Sequence, residues 1–386
     1  MGMPSYTAAR VHDGRQWLPR GATIVTDDSG QIRSIEQQPR PDTHYLPGVL
    51  CPGFINAHCH LELSHLKGLA PQKTGIVDFL IFMSTRRQEF DALPKAAAIQ
   101  AALKEMKRNG IVAVGDIANS TDTLPFRLQS GLLFHTFIEA LGMVPAVAEK
   151  RFAYYRGLQE QFAAQAGPHR QSITPHAPYS VSQELFQLID AFAPGSLLSI
   201  HSQEGACENE LFQSGTGDML RLFKALGLSE TYPEIRHSNS LPAIAGWLDA
   251  GHPVLLVHNT FTCAADISFA KKRFKNLWFC LCPNANLYIE GRLPDMDLLL
   301  ANDARICIGT DSLASNHELS VLAELQTLKS NFERLSWETL LSWGTSHGAA
   351  ALQMSDTLGT LSPGKTPGLL HLTGLEAGMA KVERIA

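Results

Sequence analysis

The chain has 386 residues, 45% of them hydrophobic and 18% charged, with a formal net charge of −5. A length of this order buries roughly three quarters of the unfolded surface, so a core needs no disulfides to hold it. The acidic balance and the lack of a long basic run exclude a nucleic-acid footprint. No apolar stretch has membrane-spanning length, which excludes a membrane-embedded chain.

The elements are predicted in chain order. Residues 5–11, 22–27 and 31–36 read as short strands separated by Asp13-Gly14 and Asp28-Ser29-Gly30 turns. From Val49 the pattern becomes strand, helix, strand. Strands are expected at 53–60, 111–116, 132–140, 172–176, 197–201, 253–258, 277–282 and 305–311. Helices are expected at 76–87, 95–109, 146–164, 182–192, 208–212, 219–226, 240–250, 264–274, 318–332 and 336–352. The strands are apolar on both faces, as parallel sheets covered by helices require. Eight such units over about 300 residues predict an α/β fold, a (β/α)8 TIM barrel spanning 51–357. The β-like segment 358–386 joins residues 1–50 in a small β-sandwich domain built from both termini.

Polar residues stand where apolar runs end. His58 and His60 alternate after the first run, so both imidazoles project to one side. Single histidines end the runs at His176, His201 and His258, and Asp311 ends the last. Any one of them could be a satisfied rim histidine, but the repetition points to a metal centre at the C-terminal mouth of a barrel. Imidazole with carboxylate suits zinc or iron, and such a centre activates water for hydrolysis. Glu204, three residues after His201, is placed to carry a proton. The seven cysteines show no disulfide spacing and, with no leader-like N-terminus, predict a cytoplasmic protein with free thiols.

These residues carry a resemblance. Pro-Gly-Phe-Ile-Asn-Ala-His-Cys-His at 52–60, His-Ser-Gln-Glu at 201–204, Leu-Val-His at 256–258 and Gly-Thr-Asp-Ser-Leu-Ala-Ser-Asn at 309–316 are similar to the amidohydrolase superfamily. The closest branch holds the chlorohydrolases and the adenosine-type, guanine and cytosine deaminases. The resemblance implies one divalent metal, zinc first and iron second, held by His58, His60, His201 and Asp311. It implies that Glu204 shuttles the proton, that His258 bonds the attacking water or the tetrahedral centre, and that Asp311 helps to activate the water. Two-metal members carry a lysine on the fourth strand, whereas this chain reads Ile-Thr-Pro-His-Ala-Pro-Tyr there. The His176 motif resembles a base-contacting histidine of the nucleoside deaminases. The last strand departs from the family pattern, with Ser-Pro-Gly-Lys-Thr-Pro-Gly-Leu at its start.

The expected substrate is a small molecule, an adenine nucleoside derivative such as aminodeoxyfutalosine, S-adenosylhomocysteine or methylthioadenosine. Glu62, Phe79, Arg86 and Arg87 are the candidates for holding its remainder, the arginines because a guanidinium fork matches a carboxylate. By analogy with the branch, a homodimer is expected. Two alternatives stand beside this reading: hydrolysis of another bond (guanine, cytosine or triazine deamination, dechlorination, cyclic amide opening), and a catalytically silent binding barrel.

Overall fold

The computed structural model describes residues 3–228 and 238–386, and the side chains of Arg87 and Gln88 lie outside that description. Fourteen strands occur among the described residues. They are β1 Ser5–Val11, β2 Thr23–Thr26, β3 Ile32–Glu36, β4 His44–Pro52, β5 Phe54–Cys59, β6 Ile111–Ala118 and β7 Leu133–Ala140. The rest are β8 Arg170–Pro175, β9 Leu198–Ser202, β10 Val254–His258, β11 Leu277–Leu281, β12 Ile306–Ile308, β13 Leu369–Thr373 and β14 Lys381–Arg384.

Both termini enter one six-stranded sheet in the order β14-β13-β4-β1-β2-β3. It has its own apolar cluster, including Ala8, Val11, Ile24, Ile32, Leu50 and Leu369. Strand β4 was not predicted, because Pro47 and Gly48 interrupt it. It pairs in parallel with β1 and antiparallel with β13, and so ties the two termini together. Gly53 alone separates β4 from β5. A Cβ there would come within 2.4 Å of a Val112 methyl and 2.6 Å of Pro367 O. Only glycine passes this junction without displacing its neighbours.

The remaining eight strands form two four-stranded sheets, β5-β6-β7-β8 and β9-β10-β11-β12. Every pairing within them is parallel. Backbone hydrogen bonds bridge the sheets at both seams: His201 N donates to His176 O at 2.8 Å, and Thr310 N to His58 O at 3.0 Å. Ile55, Ala113 and Phe137 fall in one apolar cluster, whereas Phe54, Val114 and Ile138 pack with helical residues in another. The period of two thus buries both faces, as the continuous apolar runs require.

Helices alternate with these strands, and most follow the predicted spans. The span 240–250 does not. It holds a short helix, Ser240–Ile244, then a 3-10 turn, Ala245–Trp247. Gly246 is a poor helix former, and Leu248 turns extended to bury its side chain. Helices Pro283–Ile289 and Met296–Ala301 were not predicted. Both are too short for a clear 3.6-residue period. Among the described residues no helix is long and apolar enough to cross a membrane.

Candidate active site

The C-terminal ends of the parallel strands gather the polar residues. His58 lies in β5, where the pairing with β6 shifts register between Asn56 and Cys59. Such irregularities re-aim side chains next to functional sites. His60 follows β5, His176 follows β8, His201 lies in β9, His258 closes β10 and Asp311 stands just past β12. Gly309 makes the last approach feasible: a Cβ there would lie 2.8 Å from His58 O. In its place, Thr310 N and Asp311 N both donate to His58 O.

His58, His201, His258 and Asp311 each offer a ligand atom within 4.8 Å of all the others. His60 joins them, with Nε2 3.3 Å from His201 Nε2 and 3.5 Å from Asp311 Oδ1. Neither nitrogen of His58 has a hydrogen-bond partner among the described residues, and its Nε2 stays 3.6 Å from Asp311 Oδ1. The Nδ1–H of His201 donates to His176 O at 3.0 Å, which leaves the Nε2 lone pair turned toward His60. Fully buried, unpaired imidazole nitrogens converging on a carboxylate are the donor set a divalent cation needs.

Burial sets the charges. It drives His60 and His176 down to about 3, and lowers His58 and His201 as well, so all four imidazoles are neutral at pH 7. Burial acts against the Asp311 carboxylate, but the imidazoles around it, His58 first among them, outweigh it and hold the group ionised. Ser315 Oγ also donates to Asp311 Oδ2. Glu204 goes the other way: burial first, then Asp311 and Glu290, raise it well above the usual carboxyl range. Glu204 Oε2 faces His258 Nε2 at 3.7 Å. Gln203, His258, Asn259 and Asp311 all take positive φ, between 50° and 71°. Non-glycine residues rarely adopt this conformation, and it clusters where a site over-determines the backbone.

The centre opens into a cavity of about 500 Å3. That size suits a drug-sized ligand. His60, His176, His201, Glu204, His258 and Asp311 line its floor, and Phe79 lines its wall. Two of the remaining candidates lie away from the cavity. Glu62 does not line the cavity. Its buried carboxylate accepts from Asn119 N, Ser120 N and Ser120 Oγ at 3.0–3.2 Å, and so fixes the loop after β6. Alternation after His60 fails because the chain enters a 3-10 turn at Leu61–Leu66. Arg86 is exposed, bonds Glu89 and packs over the Phe82 ring at 5.0 Å. Helical spacing points it to solvent. The side chain of Arg87 lies outside the described residues.

Several site residues were missed. Arg151 lines the cavity from the helix Ala148–Ala164. Asn286 accepts from His258 Nδ1 at 2.8 Å, and nothing in its surroundings in the sequence marks it. Glu139 also lines the cavity, buried, with Oε1 3.5 Å from His201 Nδ1. Burial pushes its carboxyl up to about 8. Its signal was present: a carboxylate one residue before the end of an apolar run, the same placement that marked the histidines.

Comparison with known proteins follows the same lines. A model of the amidohydrolase family matches residues 49–378. An adenosine deaminase of Helicobacter pylori is 27% identical over 315 residues, covering 80% of this chain and 75% of that protein. The crystal structure of H. pylori aminofutalosine deaminase in complex with methylthio-coformycin superposes with a TM-score of 0.80 at 23% identity, covering 95% of this chain and 91% of that one. An adenosine deaminase from Xanthomonas campestris with bound zinc superposes with a TM-score of 0.71 at 21% identity, over 97% of this chain and 86% of that one.

Proposed function

The chain belongs to the amidohydrolase family, and from that premise we propose that it is a metal-dependent aminohydrolase of adenine nucleoside derivatives. The observation that carries the proposal is the convergence of His58, His60, His201, His258 and Asp311 beneath a cavity that also holds a neutral Glu204 and His176. The deaminase names of its relatives support the reaction.

We read the two parallel sheets as one closed (β/α)8 barrel over 51–357, with residues 1–50 and 358–386 as the small β-sandwich domain. The bridging hydrogen bonds at both seams and the separate apolar cluster of the terminal sheet support this division. All seven cysteines are unpaired, which supports a reducing compartment such as the cytoplasm.

His58, His60, His201 and Asp311 would hold one divalent metal, zinc by the donor set and by the zinc-bound relative. Bound there, it supplies Lewis-acid activation of water. The protein's own groups do the rest. His176 hydrogen-bonds a ring nitrogen of the base, and Phe79 flanks it. Glu204, kept neutral by burial, gives its proton to the ring nitrogen beside the amine as water adds to the carbon bearing that amine. It takes up the proton that the adding water releases and passes it to the departing ammonia, and the proton lost by the added hydroxyl as the carbonyl forms restores it. His258, oriented by Asn286, hydrogen-bonds the added oxygen through Nε2. Arg151 at the cavity wall offers a cation to an acidic substituent on the sugar, as in aminodeoxyfutalosine or S-adenosylhomocysteine. An ammonia-release screen of the metal-loaded enzyme over adenosine, methylthioadenosine, S-adenosylhomocysteine, aminodeoxyfutalosine, guanine, cytosine and a chlorotriazine tests the reading. Turnover confined to the last three would overturn the base assignment.

A further inference from the structure

Glu139 and Asn119 form a pair that the chemistry above does not use. Asn119 Nδ2 donates to Glu139 Oε2 at 3.1 Å and to Glu139 O at 2.9 Å. The Asn119 N–H is held by Glu62, and its carbonyl accepts from Tyr154 Oη at 3.1 Å. Every polar atom of Asn119 is therefore fixed except Oδ1, which has no hydrogen bond among the described residues. Glu139 Oε1 is similarly open. It lies 3.5 Å from His201 Nδ1, whose proton already goes to His176 O at 3.0 Å. Both residues line the cavity.

The pair thus presents two acceptors to the ligand, Asn119 Oδ1 just past β6 and Glu139 Oε1 on β7, beside the strand that leads to His176. Two acceptors side by side call for two donors side by side. In an adenine nucleoside the amine is at the reaction centre, and the remaining donors are the sugar hydroxyls. Resting on the proposed function, we propose that Glu139 and Asn119 bind the vicinal hydroxyls of the substrate's ribose, and so make the enzyme select nucleosides over free bases and deoxygenated sugars. His60, Glu139 and His201 also each offer a ligand atom within 4.8 Å of the others, so the metal content of a Glu139 variant separates a ligand role from sugar binding.

The test compares ligands with and without the diol on metal-loaded enzyme. Equilibrium binding of inosine and 2′,3′-dideoxyinosine is measured by calorimetry, and kcat and KM for adenosine and 2′,3′-dideoxyadenosine by ammonia release. A hydrogen bond to an uncharged acceptor corresponds to about 2–10-fold in affinity. Wild type should favour the diol by that factor. Glu139→Gln should bring the ratio toward one, mainly through KM, with metal content unchanged, and Asn119→Ala should lower it partway. A wild-type ratio near one overturns the proposal. So does a Glu139→Gln enzyme that weakens both ligands equally or loses its metal. Should Glu139→Gln fail to fold, the wild-type ratio and Asn119→Ala decide. Failure to deaminate any adenine nucleoside sinks the proposed function itself, an outcome distinct from deamination that ignores the diol.

Discussion

His258 Nδ1 lies 2.8 Å from Asn286 Oδ1, and that contact settles which imidazole nitrogen faces the site. An amide oxygen only accepts, so Nδ1 carries the proton and Nε2 presents its lone pair toward Glu204. The two residues come from β10 and from the helix Pro283–Ile289, joined only by the fold. Asn286→Ala should lower kcat by about 10–100-fold, the scale of a lost orienting contact, while metal content holds. Steady-state kinetics with elemental analysis checks it. Unchanged turnover would show that His258 needs no such support.

The metal prediction follows from the orphaned imidazoles. About one zinc or iron per chain should be bound, and chelation should remove metal and activity together. His201→Ala removes a ligand whose partner nitrogen lies 3.3 Å away, and should abolish stoichiometric metal. Two metals per chain by elemental analysis would defeat the single-metal assignment.

Glu204→Gln keeps the side-chain shape and removes the exchangeable proton. A fall in kcat of at least about 10²-fold is expected, with metal content retained. Near-normal turnover would take Glu204 out of the reaction.

The parallel strands and the clustered histidines and aspartate were legible because each signal is local: an apolar run, then a ligand-type residue. His58, His60, His201, Asp311 and Glu204 could be picked this way, and the fold brings them together. Glu62 misled because the alternation that holds in a strand ends at His60, where the 3-10 turn begins. Arg86 misled because a charge on a helix next to a site says nothing of which face it occupies. Asn286 and Arg151 left no sequence signal at all. Each owes its place to packing between elements distant in the chain. Strand β4 was obscured by its own Pro47 and Gly48.

Glu208 gives a stability prediction. It is buried with neither carboxyl oxygen hydrogen-bonded among the described residues, and burial pushes it up from 4.5 to about 7. A raised carboxyl favours the protonated folded state. Its contribution is therefore complete below about pH 4.5 and is lost as pH rises through about 7. Glu208→Gln cannot ionise. The variant should gain on wild type by on the order of 3 kcal/mol between pH 5 and pH 9. Denaturant melts at the two pH values measure it, and a pH-independent difference would show that Glu208 is not held neutral.

Arg86 and Arg151 separate two accounts of how an acidic substrate is held. Arg86 is already engaged by Glu89 and lies outside the cavity, so Arg86→Ala should leave kcat/KM unchanged for every substrate. Arg151 lines the cavity, and its stem crosses Gly142, where a Cβ would come within 3.3 Å of the Arg151 Cγ. No ion pair holds the guanidinium among the described residues. A carboxylate meeting this fork gains charge-assisted hydrogen bonds that an uncharged nucleoside cannot make. Wild type should therefore deaminate carboxylated adenine nucleosides with higher kcat/KM than adenosine. Arg151→Gln should cut that advantage by about tenfold or more, while adenosine itself changes little. Equal losses for both substrates would mean that Arg151 supports the wall and not the ligand's charge.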